Sequence, residues 1–310
     1  MFGTEANVRQ LEMSELYADG TFSISPDLFL QVYTIHCVVH GRCLPMVYCL
    51  LPRKTAVIYE KLLRVIDEKM TSTPKSFTSD FELALIKAVR IVWPDVPIYL
   101  CFFHFKQSMW RKIQELGLAG IYMGDEGVRK LLKLPQVLAF VPVADVQDLF
   151  HEMKINLQAS INPHKAKIFE FYEYFERNYV GGIVDPKKKR GRQPKVPRPV
   201  EYREPMFSID MWSVYSRILE MISRTNNFTE SWHNSFSSML GKHPLVYSLV
   251  DSFRKEQKMT EDTLIRLNVG IAYKRKPAYV LLDEQLIFAA KSYSKESFAT
   301  YYDTINSIVS

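Results

Sequence analysis

Cysteine is scarce in this chain. Four residues in 310, Cys37, Cys43, Cys49 and Cys101, are too few for a disulfide scaffold and imply a reducing compartment. Long apolar runs are missing too: none approaches the ~18 residues that cross a bilayer, so no membrane partner is expected. The opening "MFGTEANVRQLEMSEL" lacks the basic stretch and apolar stretch of a secretory signal. No internal repeat is visible. Charge of one sign is only mildly in excess, at +6, which permits a polyanionic partner without demanding one. Hydrophobic residues make up 47% and aromatics 13%, so a sizeable core is expected, in one large domain or two smaller ones.

Up to about residue 116 the pattern alternates between strand and helix. "SELYADGTFSI", "FLQVYTIHCVV" and "RCLPMVYCLLP" read as three strands, close enough in sequence for an antiparallel meander. "TAVIYEKLLRVIDEKM" then reads as a helix with a stripe of Val57, Ile58, Leu62, Leu63, Val65 and Ile66. "PKSFTSD" is a short strand, "FELALIKAVRIVW" a helix stopped by Pro94, "VPIYLCFF" a fifth strand, and "HFKQSMWRKIQEL" begins helically. The class is α/β with a mixed sheet. Beyond residue 117 strand signals fade and helical patterns dominate. Residues 181–205, rich in proline, glycine and basic side chains, read as an exposed, mobile loop.

Several motifs carry chemistry, each with a plainer reading beside it. In "YADGTF" the Asp-Gly pair would ordinarily make a hairpin corner, or Asp19 would sit on a strand with Gly20 admitting a close neighbour. Asp80 follows a strand; Ser79 and Glu82 have capping-box spacing, yet the carboxyl end of a strand is also where ligands bind in α/β sheets. Glu230 could cap a helix from Asn227, but Asn226, Glu230 and His233 also share one helical face. Cys101 and His104 have the spacing of half a zinc site. No second half is visible, so a structural Zn²⁺ is not expected, and orienting a carboxylate or contacting a phosphate is the better role. The cluster Lys187, Lys188, Lys189, Arg190, Arg192 and Lys195 suits a solvated linker, phosphate contact or nuclear import. Trp93, Trp110, Trp212 and Trp232 read as packing residues, and His36 and Cys37 as neighbours alternating across a sheet.

Together, "YADGTF", "FTSDFELALIKAVRIVWPDVPIYLCFFHF" and "RTNNFTESWHNSF" resemble the catalytic domain of Mutator-like (MULE) DNA transposases, over roughly residues 12–250. The resemblance implies a ribonuclease H-like fold whose acid triad is Asp19, Asp80 and Glu230. A large helical insertion would separate the second and third acids. It divides the chain into a first part of the core (1–116), an insertion (117–222), a core helix with the third acid (223–250) and a C-terminal helical region (251–310). Members usually carry an upstream DNA-binding zinc module, whereas only about 18 residues precede Asp19 here; the resemblance therefore implies either a fragment or the loss of that module, and leaves the two open.

The implied chemistry is Mg²⁺-dependent, with Mn²⁺ as a substitute. Asp19, Asp80 and Glu230 would hold the metal, and Cys101, His104, Asn226, Asn227 and His233 would orient them or contact phosphate. Such an enzyme nicks DNA at terminal inverted repeats and joins the 3′-hydroxyl to target DNA, as a homo-oligomer in the nucleus. The alternatives are a domesticated DNA-binding regulator, a related nuclease acting on RNA–DNA hybrids, and a helical interaction protein.

Overall fold

The computed structural model describes residues 1–184 and 201–309; the basic cluster Lys187–Lys195 lies outside the described residues. The chain forms two compact units, one of residues 1–104 and 225–276, the other of 105–224 and 277–310.

The first unit is built on a five-stranded sheet: β1 (Glu15–Thr21), β2 (Gln31–Val39), β3 (Arg42–Leu51), β4 (Ser76–Ser79) and β5 (Ile98–Leu100). The spatial order is β3-β2-β1-β4-β5. The first three strands form the expected antiparallel meander, while β1, β4 and β5 run parallel. A parallel neighbour requires a crossover. Here α2 (Ala56–Asp67) and α3 (Leu83–Val92) supply it, after a short α1 (Glu5–Arg9) at the chain start. Pro45 sits in edge strand β3, where a missing backbone donor is tolerated. Around it the register slips: Ile35 pairs with Val47 but His36 pairs with Pro45, leaving Met46 as a bulge.

Period-two alternation sorts side chains to the two faces of β2. Gln31 and Tyr33 meet Tyr59 of α2, by a 2.8 Å hydrogen bond and a 5.4 Å ring contact respectively. Val32, Thr34 and His36 face the other way. There the helices α11 (Asn227–Ser238) and α12 (Val246–Asn268) close a core of Ile24, Val32, Tyr48, Phe236, Leu249 and Phe253. Phe236 stacks on Trp232 at 4.7 Å and on Phe253 at 5.6 Å. Each such ring contributes roughly 1.5–3 kcal/mol by leaving water. The stripe of α2 differs from the one expected: Tyr59, Leu62, Leu63 and Ile66 are buried, whereas Val57 and Val65 are exposed. Spacings of three and four from Tyr59 define the face, and Val57 and Val65 fall off it.

The second unit is almost wholly helical. It begins within α4 (Phe102–Glu115) and continues through α5 (Ala119–Gly124), α6 (Glu126–Val137), α7 (Val143–Ala159) and α8 (Lys165–Phe175). Then come α9 (Ile209–Trp212), α10 (Tyr215–Leu219), α13 (Pro277–Lys291) and α14 (Phe298–Val309). Phe105, Phe175, Tyr179 and Trp212 form its aromatic centre, with Phe105 stacked on Trp212 at 5.2 Å. One strand pair is an addition to the expected elements: β6 (Gly182–Val184) and β7 (Glu201–Arg203) are antiparallel, where only a loop was expected. Gly181 permits the turn into β6. Its φ is +72°, and a Cβ there would lie 2.7 Å from the Arg203 carbonyl oxygen.

Candidate functional site

Parallel pairing of β1, β4 and β5 brings their carboxyl ends to one side of the sheet, and the predicted motifs emerge there. Asp19 lies within β1, opposite Thr34, and Gly20 lies opposite Tyr33. "YADGTF" is therefore strand, not a hairpin corner. Gly20 is needed for close approach: a Cβ there would sit 2.3 Å from Gln31 Oε1. Asp80 follows β4 by one residue and Cys101 follows β5 by one residue, with His104 in the first turn of α4. Glu230 comes from the first turn of α11, whose Phe228 meets Tyr17 of β1 edge-to-face at 4.6 Å. Asp19, Asp80, Glu230 and His104 all line one cleft of about 310 Å³.

Neither capping reading holds. Helix α3 starts at Leu83, its N-cap is Glu82, and no side chain caps its first turn. Glu82 instead pairs with Lys54 at 2.7 Å, which removes it from the helix end. For α11 the N-cap is Asn226, again without a side-chain bond, and Glu230 Oε1 is buried with no hydrogen-bond partner among the described residues. Both acids thus face the cleft rather than their own helices.

Burial raises the Asp80 carboxyl to about 6, with Asp19 and Glu82 adding to the shift against Lys54 and His104. Burial also raises Glu230, which His104 opposes and Asp19 reinforces. Carboxylates crowded in a partly dry cleft disfavour their own ionisation. His104 moves the other way overall. Burial lowers it, but the Cys101 sulfur and the Asp80 and Asp19 carboxylates outweigh that and raise it to about 9. Its Nε2 stands 3.7 Å from Glu230 Oε1.

Asp19 is held from two sides. The backbone N–H of Gly20 donates to Oδ1 at 2.8 Å, and His233 Nδ1 lies 3.4 Å from Oδ2. The other nitrogen of that ring bonds Thr34 Oγ1 at 3.0 Å, and Thr34 in turn bonds His36 Nε2 at 2.9 Å. All three side chains are buried, so this chain fixes the His233 ring and, through it, Asp19. His36 is therefore more than a sheet neighbour. Burial drives it well below the usual histidine range, with His233 adding to the effect.

Other predicted residues separate clearly. Asn226 is fully buried and its backbone N–H reaches Cys101 Sγ at 3.5 Å. Both polar atoms of its side chain lack partners among the described residues. Asn227 is exposed and does not line the cleft, because the first turn of α11 rotates it away from Asn226. Lys54, Glu82, Gln31, Tyr33, Phe22 and Phe103 also line the cleft. Phe22, Glu82 and Phe103 stand inside the quoted motifs, beside the acids and His104, whereas no motif marks Gln31, Tyr33 or Lys54.

Among the described residues no three His, Cys, Asp or Glu side chains stand in ligand geometry for a metal ion. The acids share the cleft without converging on one point. Their chemistry still suits a hard cation: carboxylate oxygens are its preferred ligands, and Glu230 Oε1 is buried with its hydrogen-bonding capacity unused.

Residues 16–108 match the family model of the MULE transposase domain. The matched stretch holds Asp19, Asp80, Cys101 and His104 and ends before Glu230, so the resemblance to Mutator-like transposases stands over that part of the chain. No curated protein matches. No helix among the described residues is long and apolar enough to cross a membrane.

Proposed function

We propose that the protein is a DDE-type transposase of the Mutator-like superfamily, cleaving DNA at element ends and transferring a 3′-hydroxyl to target DNA. One observation carries the reading. Asp19, Asp80 and Glu230, separated by 80 − 19 = 61 and 230 − 80 = 150 positions, line a single cleft at the carboxyl side of the parallel strands. The order β3-β2-β1-β4-β5 and the domain match support a ribonuclease H-like core.

In this reading Asp19, Asp80 and Glu230 would hold Mg²⁺, or Mn²⁺ in its place, which when bound would supply charge neutralisation at the phosphorus and activation of the attacking hydroxyl. The protein's own groups do the positioning. His233 and the Gly20 N–H fix the two oxygens of Asp19. His104 Nε2, 3.7 Å from Glu230 Oε1, is placed to present a donor to a phosphate oxygen from beside Glu230. Such an enzyme works on nuclear DNA, as an assembly of identical chains that brings two element ends together.

The test is metal-dependent nicking of duplex DNA by the wild type, Asp19→Asn and Glu230→Gln, with Mg²⁺, Mn²⁺ or chelator. Wild-type protein nicks only with metal. Both variants lose nicking while keeping the wild-type circular dichroism spectrum, because neither carboxylate caps a helix. Undiminished nicking by Glu230→Gln would end the assignment.

A further inference from the structure

The acid cleft has a second chemistry that metal binding does not use. Two phenyl rings, Phe22 and Phe103, line it while remaining 49% and 40% exposed. Beside them Gln31 and Tyr33 are nearly fully buried, yet Gln31 Oε1 and the Tyr33 hydroxyl have no hydrogen-bond partner among the described residues. Gln31 is not free to turn and satisfy itself: its Nε2 donates to the Tyr59 hydroxyl at 2.8 Å, which pins the amide with its oxygen unpaired. Buried polar atoms left without partners are uncommon and costly. Apolar faces open to solvent beside unpaired polar atoms describe the outline of a ligand that is flat and aromatic with polar edges. Lys54 stands at the same place, 5.2 Å from the Phe22 ring centroid and 2.7 Å from Glu82, where its ammonium can reach a phosphate.

We propose that this cleft binds one unpaired nucleotide, its base stacked on the exposed phenylalanines and its edge hydrogen-bonded by Gln31 and Tyr33. The inference deepens the transposase reading and rests on it in taking nucleic acid as the substrate. A base within a duplex has both faces covered by its neighbours, so only a frayed or single-stranded nucleotide can offer a face to Phe22 or Phe103. A volume of about 310 Å³ is at the small end of ligand pockets and admits a nucleotide, not a base pair. Every base carries an N–H on its pairing edge for an acceptor such as Gln31 Oε1, so the pocket is tolerant of sequence. Strand opening at the cleavage point is then a property of the site itself, and the favoured substrate is DNA already unpaired there.

The experiment measures binding of the full chain, in chelator so that cleavage plays no part. The probes are fluorescein-labelled oligo(dT) of about 12 nucleotides and a blunt hairpin duplex carrying the same number of phosphates. Wild-type protein is expected to bind the single strand about 10-fold or more tightly over the duplex. Phe22→Ala and Phe103→Ala each weaken single-strand binding about 5- to 150-fold, the span of one base–aromatic stack. Their duplex binding stays level, and Phe22→Trp restores the loss. A single strand carrying 2-aminopurine adds a spectroscopic readout: its fluorescence is quenched by wild type and less so by each alanine variant. Both rings are half exposed, so the variants keep the wild-type melting temperature. Equal affinity for the two DNA forms, or alanine variants that bind single strand as wild type does, overturns the proposal. If Mg²⁺-dependent nicking is present in that case, the transposase reading survives alone. If single-strand preference holds but nicking is absent, the pocket survives alone. If neither probe binds and Mg²⁺-dependent nicking is also absent, both fall.

Discussion

Replacing Asp80 by asparagine should make the metal-free protein more stable. Asp80 is held near 6 against an ordinary 3.8, chiefly by burial. Its folded pKa lies above its unfolded one, so the folded state resists ionising it. Above a pH of about 6 that penalty is fully developed, and it vanishes below the unfolded value. A carboxyl displaced from 3.8 to about 6 resists ionisation by ~3 kcal/mol, and the amide that replaces it must itself stay buried without a charge to hydrate. A gain of about 1–3 kcal/mol is therefore expected for Asp80→Asn at a pH of about 7.5 in chelator. At a pH of about 4.5 most of the penalty has gone from the wild type, and the gap closes to ~1 kcal/mol or less. The assay is urea unfolding followed by tryptophan fluorescence, since Trp93 and Trp232 report the first unit. On the proposed function, adding Mn²⁺ should reverse the ranking, because wild type would gain a bound ion and the variant would lack a ligand. If Asp80→Asn is no more stable than wild type in chelator at the higher pH, or if the gap does not shrink with acid, burial of the carboxyl is not what sets the Asp80 environment.

Gly20→Ala should cost about 1–3 kcal/mol by overpacking, since its Cβ would stand 2.3 Å from Gln31 Oε1; the double variant with Gln31→Ala should recover much of it, measured by urea midpoint. His36 supplies a pH signature. Its folded pKa is depressed, so the stability it contributes is present above about 6.5 and is lost as pH falls below that value, at up to ~1.4 kcal/mol per pH unit. The ring faces Thr34, Trp232 and His233. His36→Gln should flatten that slope by up to one proton, read by urea titrations between pH about 5 and 7, and an unchanged slope would refute it.

The first 116 residues were legible because their signals are local. A change of period from two to three-and-four marks each passage from strand to helix, and Pro94 stops α3 where expected. The placement of the two aspartates has a related origin: topology carries the ends of parallel strands to one side of the sheet. Ser79–Glu82 has the spacing of a capping box without forming one, because the competing partner of Glu82, Lys54, lies 82 − 54 = 28 residues earlier. The support behind Asp19 was out of reach for the same reason. Thr34 and His233 are 199 positions apart, and nothing in "VYTIHCV" says that its threonine will meet a histidine on a distant helix. The pair β6–β7 escaped notice because three-residue strands carry too little alternation to register, and their pairing is decided by each other.

The chain quits its sheet-bearing unit at His104 and returns only at Thr225. A nascent polypeptide emerging from the ribosome thus displays both aspartates long before the glutamate exists. At about 5–20 residues per second, the 230 − 104 = 126 intervening positions take roughly 6–25 s to translate. Throughout that interval the growing product lacks the third acid of the proposed triad, and on that chemistry it does not cleave nucleic acid.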